Sequence, residues 1–337
     1  MQETEIRESP TGNSFMSAFT ECPKKWAFKY LMQWVPDDSK TARDYLVFGQ
    51  AFHLYKEWFY LNKEEASQNY LTGVPASLEY IEKFKNTFSD EIISELKERL
   101  QIAVDIWVKE YGLKEHDKYE VIGVEMLNIL TLPNNFKLSV RYDAILKDKE
   151  TGFVYIFDTK TTRASLVDTI EKYRYGPQPF IYCASIMRSD FPWKNDFRGW
   201  ITDVIFQRKY VREGWRTEVK RSEAVFYTEQ EITELMKSYT LLTDEMLFCT
   251  DRFLNDKKPL GESFRMDRSK CYLKYQGLCP YYYDCLKNWT SKDVGKPPVG
   301  YSADNWTGTQ IIQNNLSGIF QNETTFNKGL DCKDSKI

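Results

Sequence analysis

Lys137-Leu138-Ser139-Val140-Arg141-Tyr142-Asp143-Ala144-Ile145-Leu146, and after a short turn Phe153-Val154-Tyr155-Ile156-Phe157-Asp158-Thr159-Lys160, are the two stretches on which the reading of this chain turns. The first alternates, with Leu138, Val140, Tyr142, Ala144 and Leu146 on one side and Ser139, Arg141 and Asp143 on the other, which predicts a strand over 136–146. Lys149-Glu150-Thr151-Gly152 is good turn chemistry, and 153–159 follows as a second strand. Residues two apart on a strand face the same side, so Asp158 and Lys160 project together above Val154 and Ile156. The hairpin would set Asp143 alongside. Two neighbouring carboxylates repel unless a cation lies between them, and oxygen ligands of this kind suit Mg²⁺ or Mn²⁺. Alone, Asp158-Thr159-Lys160 reads most simply as a surface ion pair at a strand end.

Working outward, 119–130 and 199–208 carry strand patterns, as does 221–227, and 177–187 reads as a crossover helix with proline in its first turn. Before the strands the period is helical. Phe15, Phe19, Cys22, Trp26 and Tyr30 form a stripe broken at Cys22-Pro23, so two short helices meet there. A helix is expected over 45–60, and more over 75–115. A long helix over 228–253 opens on the Thr228/Glu231 capping pair. The order predicts an α/β core inside a helical shell.

With 337 residues, 42% hydrophobic and 28% charged, the chain is long enough for one large domain or two modest ones. No apolar run has the length of a membrane span, and residues 1–10 are too acidic and polar for a secretion signal, so a cytoplasmic location is expected. A net charge of −3 means that any nucleic-acid binding needs basic residues gathered locally. Lys24, Lys25 and Lys29, or Arg208, Lys209, Arg212 and Arg216, are candidates, and solvated faces are the alternative. Seven cysteines in such a chain argue for metal rather than disulfides. The two histidines, His53 and His116, are too few for histidine-rich zinc chemistry.

Asp143 in Val140-Arg141-Tyr142-Asp143, with Asp158-Thr159-Lys160-Thr161-Thr162 after it, resembles two motifs of the RecB-type PD-(D/E)XK nucleases. Gln178-Pro179-Phe180-Ile181-Tyr182 is similar to their helical Gln-x-x-x-Tyr motif, and Gly49-Gln50-Ala51-Phe52-His53 to their Gly-x-x-x-His motif. Ser14 to Ser17, then Cys22-Pro23-Lys24-Lys25-Trp26, resembles their N-terminal Cys-Pro segment. The similarity is greatest to CRISPR-associated RecB-like exonucleases, their phage relatives and the AddB nuclease domain. Val140 stands where a glycine is usual, and Asp158 where glutamate is commoner.

The resemblance implies a restriction-endonuclease-like core, a mixed central sheet flanked by helices, with an N-terminal helical region (1–118) carrying Cys22 and His53. The nuclease core would span 119–260, a cysteine-rich segment 261–287, and an irregular or disordered tail 288–337. It further implies that His53, Asp143, Asp158 and the Thr159 carbonyl bind Mg²⁺ or Mn²⁺, that Lys160 acts on the attacking water, and that Gln178 and Tyr182 organise the site. Cys271, Cys279 and Cys285 would join Cys22 to hold a 4Fe-4S cluster, with Zn²⁺ in the same thiolates, or unmetallated buried cysteines, as the alternatives. The seven residues between Cys271 and Cys279 exceed the usual spacing, at small entropic cost. Cys183, Cys249 and Cys332 fit no ligand pattern. His116 reads as surface loop, and Glu125 as either a further acid near the metal or a solvent-facing strand residue. The implied activity is exonucleolytic hydrolysis of single-stranded DNA or DNA ends, in recombination, replication or repair, with a homo-oligomer or a helicase or recombination protein as possible partner. A non-catalytic DNA-end-binding subunit and a structure-specific endonuclease on the same core are the alternatives.

Overall fold

In the computed structural model residues 11–37, 43–210, 212, 214–273 and 277–303 are described. The chain divides into two compact units. One holds the described residues of Met1–Lys40, Thr131–Ser139 and Thr233–Ile337, the other those of Thr41–Leu130 and Val140–Ile232.

The second unit is built on a five-stranded mixed sheet in which Tyr119–Thr131, Lys137–Asp148, Val154–Thr162, Phe197–Tyr210 and Gly214–Arg221 lie side by side in chain order. Val154–Thr162 pairs antiparallel with Lys137–Asp148 and parallel with Phe197–Tyr210. Only a crossover can join parallel neighbours, and helices Leu166–Arg174 and Pro177–Met187 supply it. This is the expected fold class, a mixed α/β sheet flanked by helices in the manner of restriction endonucleases. One face packs on helices Asp44–Leu61 and Asp90–Trp107, where Phe52, Phe59 and Trp107 meet Ala144, Phe157, Ile201 and Ile205 in a buried core. Each of these phenylalanine and isoleucine side chains contributes roughly 1.5–3 kcal/mol through burial. Trp200 precedes Ile201 and so faces the other way, where its ring stacks on Tyr182 of Pro177–Met187 at 5.6 Å.

The fifth strand lies earlier than the 221–227 expected. Gly214–Arg221 pairs with Phe197–Tyr210, and beyond it a single bridge, Val225 to Trp200, remains. Its residues, Gly-Trp-Arg-Thr-Glu-Val-Lys-Arg, alternate Trp215, Thr217 and Val219 with the charged Arg216, Glu218 and Lys220, the pattern of a half-buried edge strand.

In the first unit, helices Asn13–Glu21 and Pro23–Trp26 meet at Cys22, as the stripe broken at Pro23 predicts. Phe28 stacks on Tyr281 at 5.2 Å, and Trp34 meets Trp289 edge-on at 4.7 Å. Within the stretch read as tail, Ser291–Asp293 forms a 3₁₀ turn and Tyr301–Ala303 pairs with Trp34–Pro36. Residues 304–337 of that stretch lie outside the described residues. Among the described residues no helix is long and apolar enough to cross a membrane.

Candidate active site

The regular pairing of the central hairpin runs from Lys147 opposite Val154 to Ala144 opposite Phe157. At the next position the Asp143 carboxylate takes over, accepting the Thr159 N–H at 2.9 Å. The strand's alternation breaks there too. The Tyr142 hydroxyl lies 2.5 Å from Ser185 on Pro177–Met187, whereas Ala144 belongs to the opposite core. The irregularity leaves Asp143 half-buried at the sheet end, with Oδ2 3.1 Å from His53 Nδ1.

His53 comes from Asp44–Leu61, whose Val47, Phe48, Ala51, Phe52, Tyr55 and Phe59 form the buried stripe of an amphipathic helix. Gly49, one turn before His53, explains how the helix comes so close. A Cβ there would lie 2.9 Å from the Thr161 hydroxyl oxygen, so glycine lets the helix sit flush on Val154–Thr162.

Asp158 is 1% exposed. Lys160 Nζ lies 3.0 Å from its Oδ1 and 2.7 Å from its Oδ2, and Gln178 Nε2 reaches Oδ1 at 3.4 Å. The ring of Tyr182 packs against Tyr142 and Trp200. The sequence-predicted His53, Asp143, Asp158, Thr159, Lys160, Gln178 and Tyr182 thus converge.

Glu125 belongs with them. It has φ +50°, a left-handed conformation rare for a side-chain-bearing residue within a strand. Its carboxylate meets Arg141 Nε at 3.0 Å, and it lines a small cavity with His53, Asp143 and Thr159. That cavity has a volume of about 10 Å³, on the scale of a single water or ion. Lys56, Glu57 and Tyr60 line it as well. The spacing three and four residues beyond His53 is the sequence signal for Lys56 and Glu57. Beneath, Lys56 Nζ meets the fully buried Asp203 at 2.6 Å, and Arg221 Nε and Trp107 Nε1 reach the same carboxylate at 2.6 and 2.8 Å.

The electrostatics are those of a site short of positive charge. Burial, with the Asp143 carboxylate adding to it, raises Asp158 to about 6 against the pull of Lys160. Burial and Asp143 likewise raise Glu125 to about 7. For Asp143 burial is outweighed by His53, Lys160 and the Thr159 N–H, and its carboxyl is held well below the usual range. His53 is raised, since Asp143 outweighs burial. Lys160 is raised too, because Asp158 and Asp143 outweigh its burial.

The donor set fits a divalent cation. The carboxylates of Asp143, Glu57 and Glu125 and the imidazole of His53 line a cavity of ionic size, and the buried Asp158 Oδ2, outside that lining, lies beside the Lys160 ammonium with no aligned hydrogen-bond donor. Among the described residues no three His, Cys, Asp or Glu side chains stand in a closed metal-binding arrangement.

The late cysteines lie in the first unit. The Cys279 N–H donates to the Cys271 carbonyl at 2.7 Å, and Cys22 occupies the junction of the two N-terminal helices. Cys22, Cys271, Cys279 and Cys285 are free thiols. Burial raises Cys285 to about 12, with Cys279, Cys22 and Cys271 adding to the shift, and burial raises Cys279 as well. Among the described residues no three of these thiols stand in a metal-holding group. Cys183 and Cys249 are buried thiols, and Cys332 lies outside the described residues.

His116 is not surface loop. It is 5% exposed, on helix Leu113–Lys118, with its ring stacked on Phe59 at 4.3 Å. The charged residues around it hid a helix that turns Glu115 and His116 inward. Lys24 is buried against the Cys285 carbonyl, Lys25 pairs with Glu21, and Lys209 pairs with Glu95, so these cations are occupied within the protein.

An acid pair, a lysine and a glutamine stand together on a strand–strand–helix frame. A model of the PD-(D/E)XK nuclease superfamily matches residues 14–256, and the chain belongs to that family, whose nucleases generally use Mg²⁺ or Mn²⁺. No curated protein matches the chain.

Proposed function

We propose that this chain is a divalent-metal-dependent deoxyribonuclease of the RecB-like branch, an exonuclease acting on single-stranded DNA or DNA ends. The observation that carries the reading is the meeting of His53–Asp143 with Asp158–Lys160 at the end of one hairpin. His53, Asp143, Asp158 and the Thr159 carbonyl would hold Mg²⁺ or Mn²⁺, with Glu125 beside them. Bound there, the metal supplies Lewis acidity and an acidified water for phosphodiester hydrolysis.

The protein's own contribution is charge and position. Lys160, kept protonated by its two carboxylate neighbours, orients the water and stabilises charge developing on the phosphate. Gln178 fixes the Asp158 carboxylate in place, and Tyr182 walls the site. With both acids, the lysine and the glutamine present, the chain has the groups that a DNA-end-binding subunit without activity would not need. Digestion of labelled linear and circular single-stranded DNA with Mn²⁺ tests the reading. Mononucleotides from linear DNA alone are expected, and cleavage of the circle would make it an endonuclease.

In the same reading Cys22, Cys271, Cys279 and Cys285 hold a 4Fe-4S cluster, with Zn²⁺ as the alternative occupant, tying the N-terminal helices to the late cysteine segment. Freshly purified protein is then brown and holds iron and acid-labile sulfide. Colourless protein with one equivalent of zinc gives the site to zinc. The setting proposed is the cytoplasm of a bacterial cell, in recombination, replication or CRISPR adaptation, including for a phage-encoded enzyme. A second copy or a helicase is the expected protein partner.

A further inference from the structure

A second cavity, of about 280 Å³, lies on the sheet face that carries Asp158 and Lys160. Asp158 stands opposite Thr202 in the parallel pair, so the two side chains share a face, and Trp200, two residues earlier, shares it with them. Thr202 and Trp200 line this cavity, and Ile170, Tyr173 and Arg174 of helix Leu166–Arg174 line it as well. Tyr173 belongs to both places, since its ring centre is 5.3 Å from Lys160 Nζ. The volume is at the lower end of the roughly 300–1,000 Å³ usual for ligand pockets.

The chemistry of the lining is specific. The Trp200 indole is 1% exposed, and its Nε1–H finds no hydrogen-bond partner among the described residues. A buried donor left in that state is costly, and a ligand bearing an acceptor would satisfy it. Tyr173 presents an aromatic ring beside it. Lys220 is exposed and supplies a cation, as does Arg174, which is 3.7 Å from Glu171. Glu171 and Glu223 also line the cavity, so its charge is mixed rather than uniformly positive. A flat ring carrying acceptors, joined to a single phosphate, meets all of these groups. That is a nucleotide.

We infer that this cavity receives one unpaired nucleotide of the DNA strand crossing Asp158 and Lys160, its base at Trp200 and Tyr173 and its phosphate at Lys220. The inference rests on the nuclease reading and adds the subsite that selects an unpaired end. The base leaves its neighbours in the strand, stacks on the half-buried Tyr173 ring and accepts from the Trp200 N–H, contacts open to single strands and closed to an intact duplex.

Calorimetric titration of the full chain with dAMP, and separately with deoxyadenosine, in EDTA tests it. One saturable site for dAMP is expected. Ile170→Trp, which fills the cavity, should weaken dAMP on the order of ten-fold. Lys220→Ala should weaken dAMP several-fold and leave deoxyadenosine unchanged. On a single-stranded oligonucleotide both variants should raise KM and keep kcat. If Ile170→Trp unfolds, Lys220→Ala decides alone. Wild-type protein that takes up no dAMP overturns the inference, and so does dAMP binding that the folded variants leave unchanged. Either result is separable from failure of the nuclease reading, which shows instead as undiminished cleavage by an Asp158 variant.

Discussion

A single oxygen of Asp143, Oδ2, accepts the backbone N–H of Thr159 at 2.9 Å and lies 3.1 Å from His53 Nδ1. One atom therefore closes the hairpin where its regular pairing stops and reaches the helix that brings in the imidazole. Structure and chemistry share that carboxylate, and substitution can separate them.

Asp143→Asn keeps a side-chain acceptor for Thr159 and removes the charge. Asp143→Ala removes both and strands a backbone donor, at a cost of about 1–3 kcal/mol. Both variants should lose cleavage, with urea denaturation placing the Asn variant close to wild type and the Ala variant well below it. Equal stability of the two would refute the structural half of this account.

Gly49 and Thr161 should be coupled. Gly49→Ala meets the Thr161 hydroxyl and is expected to destabilise by about 1–3 kcal/mol and to lower activity by displacing His53. Thr161→Ala removes the obstructing oxygen, so the double variant should recover most of the loss. A double-mutant cycle with no coupling rejects the close-approach explanation for the glycine.

Asp203 is buried with Lys56, Arg221 and Trp107 as its partners. Asp203→Ala leaves Lys56 without a counter-charge and should cost about 3–5 kcal/mol, measured by denaturant unfolding. A loss below 1 kcal/mol, by the standard of exposed pairs, would mean that the network is solvated.

His116 predicts a pH dependence of stability. Burial, followed by the nearby charge of Lys63, lowers its folded pKa to about 4 from 6.5. The unfolded chain therefore takes up a proton first, and stability falls as pH drops from about 6.5 to about 4, by about 2–3 kcal/mol in all. His116→Phe keeps a ring over Phe59 without a titrating group and should flatten this part of the profile. An unchanged slope in that variant would assign the loss to other residues.

The sheet's inner strands and the crossover helix were legible because their signals are local. Alternation marks 136–146, Pro177 opens its helix, and Thr228 caps the long one through Glu231. The site's polar groups were legible through the resemblance of their motifs, since spacing alone makes Asp158 and Lys160 a surface ion pair and leaves His53 a core residue. Glu125 could not be placed, because a single left-handed residue breaks the alternation from which its direction would be read. Gly214–Arg221 shows only a short alternation, Trp215, Thr217 and Val219 against Arg216, Glu218 and Lys220, and its charged side draws the eye away from it. His116 was missed because charged neighbours concealed one inward-facing ring.

The central claim is that Asp158 and Lys160 carry metal-dependent DNA hydrolysis. The direct measurement is the Mn²⁺-dependent degradation rate of labelled single-stranded DNA by Asp158→Asn and Lys160→Ala, each checked for folding by circular dichroism. The account predicts folded proteins whose rates fall by about 100-fold or more. A folded variant of either residue that digests DNA at the wild-type rate would contradict it.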